Sequence, residues 1–195
     1  MYKQISFIAG AVLLITSCSK KDSASPQVSM EYLNLNNTSV TVNAPLNIDL
    51  NKDGTDDFRV TNELRQDNAS GSDLLEFRVT SLAQNQVLMK DDRTPARKEE
   101  NVPIYITDEL PYQWNTQLSA AIVTRVIPTD IANSYWQGTW LNHFNKYLPV
   151  KLVKDGASYL GWIQISFSNT VPMRIIVHDA AYNKIAGQSI KAGQK

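Results

Sequence analysis

From Met30 onward the apolar positions of this chain recur at every second residue rather than every 3.6. That is the period of a strand with one face in a core and the other in water. Leu33 and Leu35 flank Asn34, and Val40 and Val42 flank Thr41. Leu46, Ile48 and Leu50 interleave with Asn47 and Asp49, and Phe58 and Val60 with Arg59 and Thr61. Leu75, Phe77 and Val79 alternate with Glu76, Arg78 and Thr80. Each run predicts a half-buried antiparallel strand, apolar side inward and polar side wet. Residues 87–90 and 104–107 give weaker strand signals. Residues 120–127 are rich in β-branched side chains and predict a strand, with a helix as the alternative.

The last fifty residues carry the sharpest pattern. Two apolar runs, 148–154 and 159–168, flank Asp155-Gly156, which predicts a hairpin. In the second run Ile163, Ile165 and Phe167 point one way and Trp162, Gln164 and Ser166 the other. Met173, Ile175 and Val177 continue the alternation, and Gly187 and Gly193 mark turns. Residues 130–147 hold several aromatics without a clean period, which predicts a long loop with room for a short helix. The run 91–100 mixes both charge signs around Pro95 and reads as a solvated loop in preference to a binding patch. Many short strands, short turns and little helix define the expected fold class as all-β, an antiparallel β-sandwich formed by a single domain over residues 30–195.

The N-terminus is of another kind. Lys3 precedes a short apolar run over residues 7–15, the pattern of a signal peptide. The run falls short of the ~20 residues that cross a bilayer. It closes on Ile15-Thr16-Ser17-Cys18, which resembles the lipobox of bacterial lipoproteins: a branched apolar residue, two small ones and a cysteine. The resemblance implies removal of residues 1–17 and lipid on the Cys18 sulfur and new amino group. Each buried CH₂ then contributes ~0.8 kcal/mol to membrane anchoring. The alternative is an ordinary secretory signal with an incidental cysteine. Ser19 in place of Asp resembles Gram-negative lipoproteins sent to the outer membrane, on either its periplasmic or its surface side. Residues 18–29 are small and polar and predict a flexible tether.

Composition narrows the chemistry. The chain's 195 residues include 19 basic and 19 acidic side chains, so no overall field attracts nucleic acid. Cys18 is the one cysteine, so no intramolecular disulfide forms. Two histidines and no C-x-x-C pair argue against a Cys/His zinc site. The sequence has no G-x-S-x-G, no glycine-rich phosphate loop and no H-E-x-x-H. His178 and Asp179 are neighbours on a predicted strand and so diverge to opposite faces. His143 reads as a packing or surface residue. No catalytic residue is therefore expected, and a hydrolase is the least favoured function.

The candidate chemistry lies in residues 49–57. Asp49, Asn51 and Asp53 place oxygens at alternate positions, Gly54 permits a sharp turn, Thr55 offers a carbonyl, and Asp57 adds a carboxylate. Calcium takes six to eight oxygen ligands of these kinds. A twelfth-position glutamate is missing: Val60 stands there, and no helical pattern flanks the loop, which excludes an EF-hand. The expected cofactor is a structural calcium ion; the bland alternative is an acidic hairpin loop.

The loop resembles the D-x-[DN]-x-D-G-x-x-D loops of the FG-GAP and thrombospondin type 3 kind. The end of the chain is also similar to a recurring ending of secreted and lipid-anchored bacterial proteins. Tyr159-Leu160-Gly161-Trp162-Ile163 matches their Y-G-W-I strand with a leucine inserted. Asp179-Ala180-Ala181-Tyr182 matches D-x-A-Y, and Ile190-Lys191-Ala192-Gly193 the closing I-x-A-G. The resemblance implies a β-rich extracytoplasmic domain and no particular activity.

The aromatics Tyr112, Trp114, Tyr135, Trp136, Trp140 and Trp162 either fill the core, the preferred reading, or form a stacking platform. Trp136, Trp140 and Trp162 are the candidate ligand-stacking residues. The expected function is a lipid-anchored envelope protein that binds or adheres to a glycan or protein ligand. The alternative is a structural or accessory envelope component with no small ligand.

Overall fold

The computed structural model describes residues 28–170 and 173–195. The signal segment, Cys18 and nearly all of the tether lie outside the described residues. Thirteen strands follow: β1 (Met30–Val40), β2 (Leu46–Ile48), β3 (Phe58–Asp67), β4 (Ser72–Ser81), β5 (Gln86–Met89), β6 (Pro103–Ile104), β7 (Gln113–Thr116), β8 (Ser119–Ile127), β9 (Tyr135–Gln137), β10 (Lys146–Lys154), β11 (Ala157–Ser168), β12 (Arg174–Asn183) and β13 (Ile190–Lys191). Among the described residues the one helical piece is a 3₁₀ turn, Ile131–Asn133, capped by Asp130.

Six strands form one sheet in the order β1-β12-β11-β10-β5-β7, and five form another in the order β2-β3-β4-β8-β9. The two sheets pack face to face as an all-β sandwich, as the alternation predicts. β3 and β4 pair without interruption from Phe58↔Ser81 to Asp67↔Ser72. This puts Phe58, Val60, Phe77 and Val79 on one face, where they meet Val150, Ile163, Ile165 and Phe167 from the facing sheet. All eight are buried, and burial of each such side chain stabilises by about 1.5–3 kcal/mol. β8 is a strand, not a helix, because it completes this sheet beside β4.

The hairpin of β10 and β11 pairs from Lys146↔Ile165 to Lys154↔Ala157. Asp155 and Gly156 both have positive φ, 51° and 76°, the two-residue turn that matches strand twist. β1 pairs with β12 across almost the whole chain, Met30 opposite Asn183, with an irregularity between Asn34 and Thr38.

The Trp162 side of β11, which it shares with Gln164 and Ser166, could lie in water or under a covering loop; it is covered, with Trp162 0% exposed and Ser166 2% exposed. The reason is a second, smaller core on the outer face of the six-stranded sheet, formed by Tyr147, Leu160, Trp162, Ile104, Ile190 and their neighbours. A two-stranded ribbon of β6 and β13 roofs it. The predicted strand at 104–107 shrinks to the short β6 that pairs there, Ile190 opposite Ile104.

The C-terminal motif residues meet in this second core. A Cβ on Gly161 would stand 2.6 Å from the Ala181 carbonyl oxygen, and one on Gly193 would stand 2.8 Å from the Tyr147 ring. Glycine at these two points lets β12 and the tail lie close. The Trp162 indole N–H then donates to the Gln194 carbonyl at 3.2 Å.

Candidate functional site

The acidic loop leaves the short β2 and returns to β3, whose pairing brings Ile48 opposite Phe58. Lys52 (φ 59°) and Gly54 (φ 89°) wind it tightly. The Asp53 N–H donates to Asp49 Oδ1 at 3.1 Å and to Asn51 Oδ1 at 2.9 Å. The Gly54 N–H donates to Asp49 Oδ2 at 2.7 Å, and the Thr55 N–H to Asp53 Oδ1 at 3.1 Å. The loop thus gathers two carboxylates and an amide around its own backbone. Each acceptor oxygen has two lone pairs, so one remains free of these bonds. Lys154 closes the outer side, its ammonium 3.2 Å from Asp53 Oδ2, and this partner holds the Asp53 carboxyl below its usual range.

Asp57 is placed differently from the other four. It is 6% exposed and turned inward. Its Oδ2 accepts the Leu50 N–H at 2.8 Å, and its Oδ1 the Asn85 side-chain amide at 2.9 Å. Burial pushes its pKa up against those bonds. Among the described residues no group of three or more His, Cys, Asp and Glu side chains stands together so as to hold a metal. Asp49, Asn51 and Asp53 bind the loop's own backbone N–H groups, while Asp57 shapes the loop from behind.

The candidate stacking residues are corrected by their burial. Trp140 and Trp162 are both 0% exposed. Trp140 belongs to the main core. Trp162 lies 5.2 Å from Tyr147 and 6.4 Å from Tyr32, ring centre to ring centre, under the C-terminal tail. Trp136 points inward from β9 and packs 5.0 Å from Phe167. Trp140 and Trp136 pack in or against the core between the sheets, and Trp162 fills the second core under the tail. On the same strand Tyr135 points outward and is 55% exposed.

Three side chains meet the spacing of a nucleophile, base and orienter. His178 Nε2 lies 2.7 Å from Ser166 Oγ, and His178 Nδ1 lies 2.6 Å from Asn37 Oδ1. Ser166 Oγ is already the acceptor of the Asn145 N–H at 2.8 Å, and the residue is buried. The chain of bonds ties β1, β11 and β12 to the turn before β10.

A polar cleft lies elsewhere, on the outer face of the five-stranded sheet. The strands align Glu63, Glu76, Thr124 and Gln137 in one row across β3, β4, β8 and β9. Glu76 and Arg78 are only 5% and 7% exposed, although this face was expected to be wet. Residues 91–94 cross above them, fastened where the Ala121 N–H donates to the Arg93 carbonyl at 3.0 Å. Beneath, Arg65 Nε donates to Glu76 Oε1 at 3.0 Å, and Arg78 Nη2 stands 2.6 Å from Glu76 Oε2. Arg78 also pairs with Glu63. Two cavities of about 450 and about 430 Å³ open here and share Glu76, Asp92 and Ala121. Asp92 accepts the Thr94 N–H at 2.9 Å, and Thr94 holds its carboxyl below the usual range, the wrong direction for a general acid. Nothing in the local pattern singles out these residues, since a polar position alternating with Leu75, Phe77 and Val79 reads as solvated. The mixed-charge run 91–100 was the available signal. No family model, curated protein or solved structure matches the chain.

Proposed function

We propose that this protein is a lipid-anchored component of the cell envelope, tethered through Cys18 to the outer membrane, whose sandwich binds a polar ligand in the cleft over β4 and β8. The ligand is a glycan or a partner protein. The observation that carries the reading is the ion network of Glu76 and Arg78, held out of water on a sheet face that would normally meet it. Burying ions is weak evidence for stability, and a face that had only to fold would bear solvated side chains. A pre-formed cleft of 300–1,000 Å³ with convergent polar groups is the usual form of a ligand site.

Within this reading the loop at 49–57 takes a structural calcium ion through Asp49, Asn51, Asp53 and the Thr55 carbonyl. The ion would displace the Lys154 ammonium and offset the repulsion of clustered aspartates. Lipid attachment rests on residues 15–18 and is checked by mass spectrometry of the mature N-terminus; an unmodified Cys18 ends it. Binding is tested with the mature protein in detergent, screened on arrays of glycans and of envelope proteins beside the Arg93→Ala variant. Specific binding weakened by the variant supports the cleft. Silence across both arrays favours a structural role without a small ligand.

A further inference from the structure

The cleft carries its charges in balance. Its first cavity is lined by Arg65, Arg78 and Arg93 together with Glu76, Asp91 and Asp92, three cations against three anions. A polyanion would meet the carboxylates, and a basic peptide the guanidinium groups. Either gains attraction from one half of the lining and repulsion from the other. A neutral hydroxylated chain meets no such conflict, because each hydroxyl donates to a carboxylate and accepts from a guanidinium. The second cavity continues the theme with Thr94, Thr124, Gln137 and Thr139, groups that donate and accept without charge.

The floor is also fixed before any ligand arrives. Glu76 is clasped from both sides by Arg65 and Arg78, so little side-chain freedom is lost on binding. Arg78 Nε is buried and has no hydrogen-bond partner among the described residues. Tyr135 stands two residues along β9 from Gln137, on the same outward side and 55% exposed. It lines neither cavity, and the strand sets its ring beside the trough.

We propose that the cleft binds a neutral oligosaccharide, seated along Arg93, Asp92 and Gln137 by hydrogen bonds, with one sugar ring on Tyr135 beside it. This rests on the reading of the cleft as the ligand site, and the two can fail separately. The probes are printed arrays of neutral glycans, acidic glycans and peptides, tested with the mature protein in detergent. Gln137→Ala, Tyr135→Ala and Arg93→Ala are the variants; all three side chains are exposed, and thermal melts verify that the fold is kept.

The expected result is binding to neutral glycans that survives high salt and drops at least about tenfold in Gln137→Ala and in Tyr135→Ala, the loss due to one well-placed polar or aromatic contact. Binding confined to acidic glycans or peptides, and sensitive to the same variants, overturns the neutral-sugar proposal while leaving the cleft as a site. Binding indifferent to all three variants, or none in any class, removes the cleft itself.

Discussion

Lys151 and Asp53 are the two side chains whose environments make the sharpest demands. Lys151 lies on the outer face of β10, 8% exposed. Its ammonium donates to the Ile106 carbonyl at 3.1 Å and sits 4.4 Å from the centre of the Trp114 ring. Burial lowers its pKa from the ordinary 10.5 to about 8. Between those values the unfolded chain binds the proton that the folded one has released, so stability rises with pH through that window. Thermal melts of wild type and Lys151→Met should show the wild type gaining on the variant from pH 8 to 10.5, by on the order of 3 kcal/mol. A constant difference would mean that the ammonium is solvated. Asp53 poses the opposite problem of a charge that wants company. If the loop holds calcium, a chelator lowers the melting temperature of wild type and leaves Asp53→Ala unmoved. Equal melting with and without chelator would assign Lys154 as the loop's permanent counter-ion.

Strands and hairpins explain which parts were readable beforehand. β3, β4, β10 and β11 show their period because one face of each enters the main core, and the Asp155-Gly156 turn fixes its own backbone. β9 could not be read, since three residues carry no period; its Trp136, for which the core was the preferred reading and a platform the alternative, packs against the main core. The spacing of Asp49, Asn51 and Asp53 is local and visible. That Asp57 turns to Asn85, 28 residues onward, is not, because nothing near Asp57 announces the partner. Asn85 in turn accepts the Val153 N–H at 2.8 Å, so the loop is braced against the other sheet. β11 passes close to β12 at Gly161. Gly161→Ala forces a Cβ to 2.6 Å from a backbone oxygen, a clash no rotamer relieves. It should destabilise by about 3 kcal/mol or more, measured by chemical denaturation. A loss below about 1 kcal/mol would show that the two strands separate freely.

At the scale of the whole molecule, two cores divide the labour. The larger lies between the sheets and needs only strands; the smaller needs the end of the chain to fold back over Trp162 and Tyr147. This closure joins residues far apart in sequence, which is why the strand alone leaves open whether Trp162 is exposed or covered. Ending the chain after Ser189 removes Ile190, Ala192 and the Gln194 carbonyl that Trp162 uses. The shortened protein should keep its far-ultraviolet strand signal, lose several degrees of melting temperature and show red-shifted tryptophan emission. Unchanged emission would place the cover over Trp162 elsewhere. The cleft, on the opposite sheet, should bind as before.

The pairing of β1 with β12 has a mechanical side. Any pull that reaches the domain through the residues before Met30, directed along β1, strains its rungs together rather than one after another, because the two strands run antiparallel from Met30↔Asn183 to Val40↔Ile175. Such a ladder resists by sliding friction along its full length, whereas a peeled edge opens rung by rung. Single-molecule extension from the N-terminus should therefore register a high rupture force, and the same extension from the C-terminal tail, held by the two rungs of β13, a low one.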